Sequence, residues 1–196
     1  MTIQTIPLFP LGAILFPGGL LPLKLFEQRY LEMGKTCLRG ESPFGVCGIK
    51  HGAEVGAPAT PFDVGCIAKI VHWDMPQLGI LHIVAQGEIR FRVMTHRSQA
   101  DGLLVGEVMT IDNDEPQSIA PAFAVCAEVL KQIVAGVREQ HFPTPARYDD
   151  SNWVGNRLAE VLPLPLMTKQ RLLELTDGNA RLAELKEILV AQGLLS

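Results

Sequence analysis

An α+β fold is predicted by three features of the amino-acid sequence. The first two-thirds alternate short apolar runs with proline and glycine turn signals, the pattern of β structure. The last third repeats apolar residues at helical spacing. Between them, Asp112-Asn113-Asp114-Glu115-Pro116 is acidic and ends in proline, as a connection between domains would. The predicted organisation is a β-rich domain over residues 1–112 and an all-helical part over 118–196.

The strands come first. Thr5–Phe9 and Leu20–Phe26 are apolar runs bounded by Pro10-Leu11-Gly12 and Pro17-Gly18-Gly19. Proline inside both runs points to edge strands, strand ends or bulges. A helix is predicted from Glu27 to Arg39, because Tyr30, Met33, Gly34 and Cys37 share one face. Glu27 and Arg39 suit the two ends of its dipole, and Gly40 is a natural stop. Phe44–Ile49, Gly65–Trp73, Leu78–Gln86 and Leu103–Ile111 read as further strands. The clearest is Glu88–Val93, where Ile89, Phe91 and Val93 alternate with Glu88, Arg90 and Arg92. That alternation predicts buried Ile89, Phe91 and Val93, with Arg90 and Arg92 in water.

Beyond the acidic connection, Ala122, Cys126, Val129, Leu130, Ile133 and Val137 form one helical stripe. Ser151 is a candidate N-cap for a helix carrying Trp153, Val154, Leu158 and Val161, which Pro163 and Pro165 end. Thr168 is a candidate cap for the next, with Leu172, Leu173 and Leu175. Asp177-Gly178-Asn179 marks a break before a closing helix with Leu182, Leu185, Ile188 and Leu189. Gly193 is its expected stop.

Composition narrows the function classes. Hydrophobic residues make up 47% of the 196 residues and charged residues 19%, a core-forming balance rather than a disordered one. The net charge of −4 argues against phosphate backbones as partners, since Lys and Arg drive that binding. Residues 1–23 carry no charged side chain, yet no basic segment precedes the apolar stretch as in a signal peptide. Pro7, Pro10, Pro17 and Pro22 would break a membrane-spanning helix. A cytoplasmic protein is the resulting expectation. Cys37, Cys47, Cys66 and Cys126 include no C-x-x-C pair and read as buried thiols in a reducing compartment.

Catalytic motifs are sparse. Gly34-Lys35-Thr36 resembles the end of a phosphate loop, but Arg29 stands where that loop needs its first glycine. Close packing of the helix on a sheet explains Gly34 better. No Ser sits in a G-x-S-x-G elbow, and no metal-ligand spacing appears among Cys and His. His72 and His82 fall in strands as ordinary histidines. Arg90 and Arg92 could hold an anion, although with Glu88 alongside a solvated charged face is the simpler account. No catalytic residue, metal ligand or cofactor is assigned. Trp73, Met75 and Leu78 cluster near a turn between strands. Apolar residues there serve equally as a partner surface or as cover for a core edge.

One family pattern is visible across nearly the whole chain. Ile6-Pro7-Leu8-Phe9-Pro10-Leu11, Leu15-Phe16-Pro17-Gly18, Leu21-Pro22-Leu23 and Phe26-Glu27-Gln28-Arg29-Tyr30 closely resemble the opening signature of the Lon protease N-terminal domain family. Phe44-Gly45-Val46, Val64-Gly65-Cys66 and Gln86-Gly87-Glu88-Ile89-Arg90-Phe91-Arg92-Val93 resemble its later landmarks, in order. Lys169–Glu174 and Asn179–Leu182 are similar to its helical part. The resemblance implies a PUA-like six-stranded pseudo-barrel followed by a helical bundle. It also implies recognition of unfolded or tagged polypeptides, with no ATPase or Ser–Lys protease module within these residues. Where the family often has an Asp-Gly hairpin after the fourth strand, this chain has Gln77-Leu78-Gly79.

The motif residues Pro17, Gly18, Glu27, Arg29, Tyr30, Arg90 and Phe91 read as structural: a forced turn, and charge-assisted contacts that fix the helix. The functional expectation is a non-catalytic module that binds unfolded or flexible polypeptide, as an adaptor, chaperone-like factor or regulator, with Trp73, Met75 and Leu78 as its candidate surface. An enzyme with an unrecognised pocket and an RNA-binding PUA-like protein are the alternatives.

Overall fold

The computed structural model describes residues 2–112, 115–136 and 142–195. The chain divides into two compact units, Met1–Asn113 and Asp114–Ser196.

The first unit holds six strands and one helix: β1 (Ile3–Leu11), β2 (Leu20–Leu25), α1 (Gln28–Gly40), β3 (Phe44–His51), β4 (Thr60–Gln77), β5 (Ile80–Ser98) and β6 (Leu104–Thr110). The sheet order is β2-β5-β4-β3-β1-β6, with β5 also paired to β6. That extra pairing closes β5, β4, β3, β1 and β6 into a ring and leaves β2 attached to β5 outside it. All pairings are antiparallel except β1 with β3. The result is a six-stranded pseudo-barrel in an α+β chain.

Two strand segments that read separately, Leu78–Gln86 and Glu88–Val93, fall on one strand of 19 residues, except that Leu78 and Gly79 form the turn before it. Gly87 joins them. A Cβ there would lie 2.3 Å from the Phe16 carbonyl oxygen, so only glycine lets β5 pass beneath the preceding loop. That loop is the Pro17-Gly18 turn. Gly19 N–H donates to Phe16 O at 3.0 Å, and Gly18 has φ 75°, as a type II turn requires of its third residue.

Helix α1 packs on the sheet through Gly34, whose added Cβ would stand 2.8 Å from a Leu25 methyl and 3.1 Å from one of Leu81. Tyr30, Met33 and Cys37 are buried with it. One core gathers Phe9, Tyr30, Phe44, Cys66, Leu81 and Ile83. A second gathers Ile6, Leu8, Cys47, Ile67, Phe91 and Val108.

The two cores correct the reading of β5. Arg90 is not in water: it is 2% exposed. Its cross-strand partner Cys66 belongs to the first core, while the adjacent Phe91 belongs to the second. The two cores lie on opposite sides of β5 at this point, so both of its faces are covered. Alternation marks one wet face only where a sheet has one. Arg92 is exposed as read, whereas Ile89 and Val93 are half-buried against the second core rather than inside it.

The second unit contains a short 3₁₀ turn (Pro121–Phe123), α2 (Ala124–Gly136), α3 (Ser151–Val161), α4 (Leu166–Glu174) and α5 (Gly178–Ala191). Cys126 and Leu130 of α2, Trp153, Val154 and Leu158 of α3, Leu172 and Leu173 of α4, and Leu182, Leu185 and Leu189 of α5 are buried. Ala122 is exposed in the 3₁₀ turn, while Val137 and the Asn113-Asp114 part of the acidic connection lie outside the described residues. Ser151 is the first residue of α3 and not its cap: the Asp150 carboxylate accepts from Asn152 N–H at 3.0 Å. Thr168 lies inside α4, whose cap position is Pro165. Asp177 caps α5 by accepting from Ala180 N–H at 2.8 Å. Arg181, fully buried, donates to the Leu172 carbonyl at 2.9 Å and to that of Leu175, satisfying the end of α4 with a cation where the dipole favours one.

Candidate functional site

The far ends of β4 and β5 run past the ring as a hairpin. Gln77 pairs with Ile80 across a two-residue turn, Leu78-Gly79, in which Gly79 has φ 85°. Here β4 has β5 as a neighbour but no β3, so its side chains have little to cover them. Leu78 at the tip is 95% exposed, Trp73 55% and Met75 37%, with Val71 exposed below them. Trp73 stands opposite Ile83, which in turn stands opposite Leu23 of β2, so the indole continues a row that begins in the core. The hairpin therefore brings Trp73, Met75 and Leu78 together as an apolar projection.

The opposite face of the same three strands mixes charged and apolar side chains. Lys24, His82 and Asp74 form one cross-strand row, and Pro22 and Val84 lie in the next with His72. They line a shallow groove of about 240 Å³. Among the described residues no group of three or more His, Cys, Asp or Glu could hold a metal ion.

A second cleft, of about 180 Å³, follows β2 itself. Its floor is the aromatic pair Phe9 and Tyr30, with ring centroids 4.1 Å apart. Its far wall is Glu54 and Val55, from the loop between β3 and β4. Arg29 fixes the helix end here. It pairs with Glu27 at 2.9 Å, donates to Gly102 O at 3.1 Å and lies 4.7 Å from the Tyr30 ring centre. Burial pushes the Tyr30 phenol up; Arg29 opposes this, while Glu27 and Glu54 add to it. Glu54 accepts from Gly12 N–H.

In the helical unit, Phe123, Lys186, Glu187 and Val190 line an open groove of about 450 Å³.

None of these places assembles a nucleophile with a base. The four cysteines are buried. Burial raises the thiols of Cys37, Cys47 and Cys126, the reverse of an activated nucleophile. Of the motif residues, Pro17 and Gly18 form the turn over Gly87; Glu27, Arg29 and Tyr30 meet at the start of α1; Arg90 and Phe91 point to opposite cores. The sequence reading missed Val71, Phe26, Val55 and Glu54. The last two sit in a loop of Gly, Ala and Pro, where a lone valine is the only hint of an apolar wall.

Comparison with known proteins places this geometry. Residues 5–191 match the model of the ATP-dependent protease La (LON) substrate-binding domain. A Lon N-terminal domain protein from Xanthomonas campestris has a similar structure, with TM-score 0.79 and 34% identity, over 94% of this chain and 98% of that one. Lon protease 2 of Myxococcus xanthus is 24% identical over 95% of this chain and 23% of its own length. Cereblon of Danio rerio is 31% identical over 61% of this chain and 27% of its own. The chain thus spans about a quarter of these curated relatives. No described helix is long and apolar enough to cross a membrane.

Proposed function

The chain belongs to the LON substrate-binding domain family, and on that premise we propose that it is a non-catalytic module that binds unfolded or flexible polypeptide. It acts as an adaptor, a chaperone-like factor or a regulator. The match covers a substrate-binding domain and neither the ATPase nor the protease domain.

The observation that carries the reading is the apolar hairpin, with Leu78 95% exposed beside Trp73 and Met75. Three large apolar side chains left in water at a strand tip gain little from folding and keep their apolar surface for a partner that covers them. Methionine adapts to varied partners, and an indole offers much contact area for little lost freedom. A patch this small supports weak binding, on the order of micromolar, because ordering a flexible client opposes its apolar contacts. Nucleotide has no part in it.

The test is titration of fluorescent unfolded peptides at low and high salt, with Trp73→Ala and Met75→Ser alongside. Binding is expected to vary little with salt and to weaken in both variants. RNA binding that falls steeply with salt, with no peptide binding, would replace this reading with a nucleic-acid one. Peptide binding undiminished in both variants would move the site away from the hairpin.

A further inference from the structure

Among the described residues, β2 has β5 as its one neighbouring strand, so its other edge is open. Which backbone groups face that edge follows from the register. Gly87 N–H donates to Gly19 O at 2.9 Å, which makes the Gly19 position a hydrogen-bonded one. Pairing then alternates along Leu20↔Gln86, Leu21↔Ala85, Pro22↔Val84, Leu23↔Ile83 and Lys24↔His82. Leu21 and Leu23 turn their backbone groups to β5, while Leu20, Pro22 and Lys24 turn theirs away. Proline at the middle outward position agrees, because it has no N–H to offer β5. The open edge therefore presents the carbonyls of Leu20, Pro22 and Lys24 and the N–H groups of Leu20 and Lys24.

The cleft beside this edge touches six consecutive residues, Pro22 to Glu27. Side chains alternate between faces, so an unbroken run means that the cleft follows the backbone edge itself. Its surroundings are apolar (Phe9, Val55 and the exposed Phe26) with one unbalanced charge. Glu27 is neutralised by Arg29, whereas the Glu54 carboxylate has a backbone N–H from Gly12 as its partner. Lys24 does not offset it, because its side chain stands in the row with His82 and Asp74 on the other face.

Resting on the polypeptide-binding reading, we infer that the open edge of β2 takes an extended client segment as an added strand, apolar toward Phe9 and Val55 and carrying a basic residue toward Glu54. The backbone bonds are blind to sequence, which suits a module with many clients. The apolar wall and Glu54 bias the choice. Pro22 leaves one rung without a donor, which limits both the affinity and the length of the added strand.

The experiment uses the full chain and a fluorescein-labelled peptide of alternating valine and threonine with one central arginine, read by anisotropy. Two further peptides accompany it: the same sequence N-methylated at every second residue, which removes the donors a strand needs, and a version with glutamate for arginine. Lys24→Pro removes the outward N–H while leaving the β5 ladder intact, and Glu54→Gln keeps the acceptor for Gly12 without the charge. N-methylation and Lys24→Pro should each weaken binding about tenfold, the loss of one or two backbone bonds. Glu54→Gln should weaken the arginine peptide about threefold and leave the glutamate peptide unchanged or tighter. Should Lys24→Pro fail to fold, the N-methylated peptide decides alone. Equal binding of the parent and N-methylated peptides overturns strand addition. If that binding still drops in Trp73→Ala, the polypeptide reading stands without it. Binding of none of the peptides removes both.

Discussion

The closed ring and the projecting hairpin are built from the same two strands, β4 and β5, yet their glycines differ in kind. A Cβ on Gly65, in the ring, would sit 2.4 Å from the Val46 carbonyl oxygen and 2.7 Å from the Phe91 ring. On Gly45, in the neighbouring β3, it would meet Phe91 at 2.7 Å and Leu8 at 2.9 Å. On Gly79, at the hairpin turn, it would meet nothing within 4 Å. In the ring, glycine is present because neighbours occupy the space; at the tip, it is present because the backbone turns through positive φ. One end of these strands is over-determined by packing, and the other keeps its large apolar residues in water. Rigidity at the first end holds the second in place as a surface for something else.

The sharpest way to break this comparison is to truncate one large side chain at each end. Phe91→Ala in the ring should cost about 3–5 kcal/mol, since it empties the space against which two glycines are fitted. Leu78→Ala at the tip should stay within about 0.5 kcal/mol. Chemical denaturation of both variants measures the difference, and similar losses would mean that the hairpin is covered.

Tyr30→Ala should fall near Phe91→Ala, at about 3–5 kcal/mol, because it removes the ring stacked on Phe9 and held by Arg29. An unchanged melting temperature would turn Tyr30 into a binding residue of the neighbouring cleft.

Gly65→Ala should cost about 1–3 kcal/mol, as overpacking against backbone cannot be relieved by a rotamer change. Gly79→Ala strains φ but not packing and should cost less. Melting curves of the pair sharpen the distinction between the two uses of glycine.

A smaller effect comes with pH. Burial, with a lesser part from the charge of Asp63, holds the Cys47 thiol well above its ordinary value of 9.0. The folded protein keeps this proton after the unfolded chain has lost it. The associated stability is complete below about pH 9 and declines as pH rises beyond it. Cys47→Ala should flatten the alkaline limb of a plot of melting temperature against pH. The hairpin contains no cysteine, so its variants should leave that limb unchanged.

How much of this was legible depended on how local its cause was. The Pro17-Gly18 turn and the buried face of α1 are set by neighbours in sequence, and both were readable. So was the strand turn after Trp73 and Met75, since a turn needs only a few residues. The continuity of β5 through Gly87 was not, because the reason for that glycine is the distant Phe16 carbonyl. Burial of Arg90 depends on a core packed on its side of β5 as well as on that of Phe91, which no neighbour in sequence reveals. The cap of α3 fell to Asp150 rather than Ser151, a choice between two adjacent good cappers. The open edge of β2 was hinted at by its proline, but its freedom follows from where β5 spends its other edge.

The pairing of Ile3 with Met109 sets the order of events on the ribosome. The first strand emerges early, yet the partner that closes the ring beside it is the last strand of the unit. Until about residue 110 has left the exit tunnel, the edge that β6 will occupy is bare and the ring cannot shut. A pairing this distant in sequence slows the closing of the ring. Between the emergence of β1 and that of β6, the nascent unit presents Ile6 and Leu8 without their final cover, in the condition that invites other chains to bind.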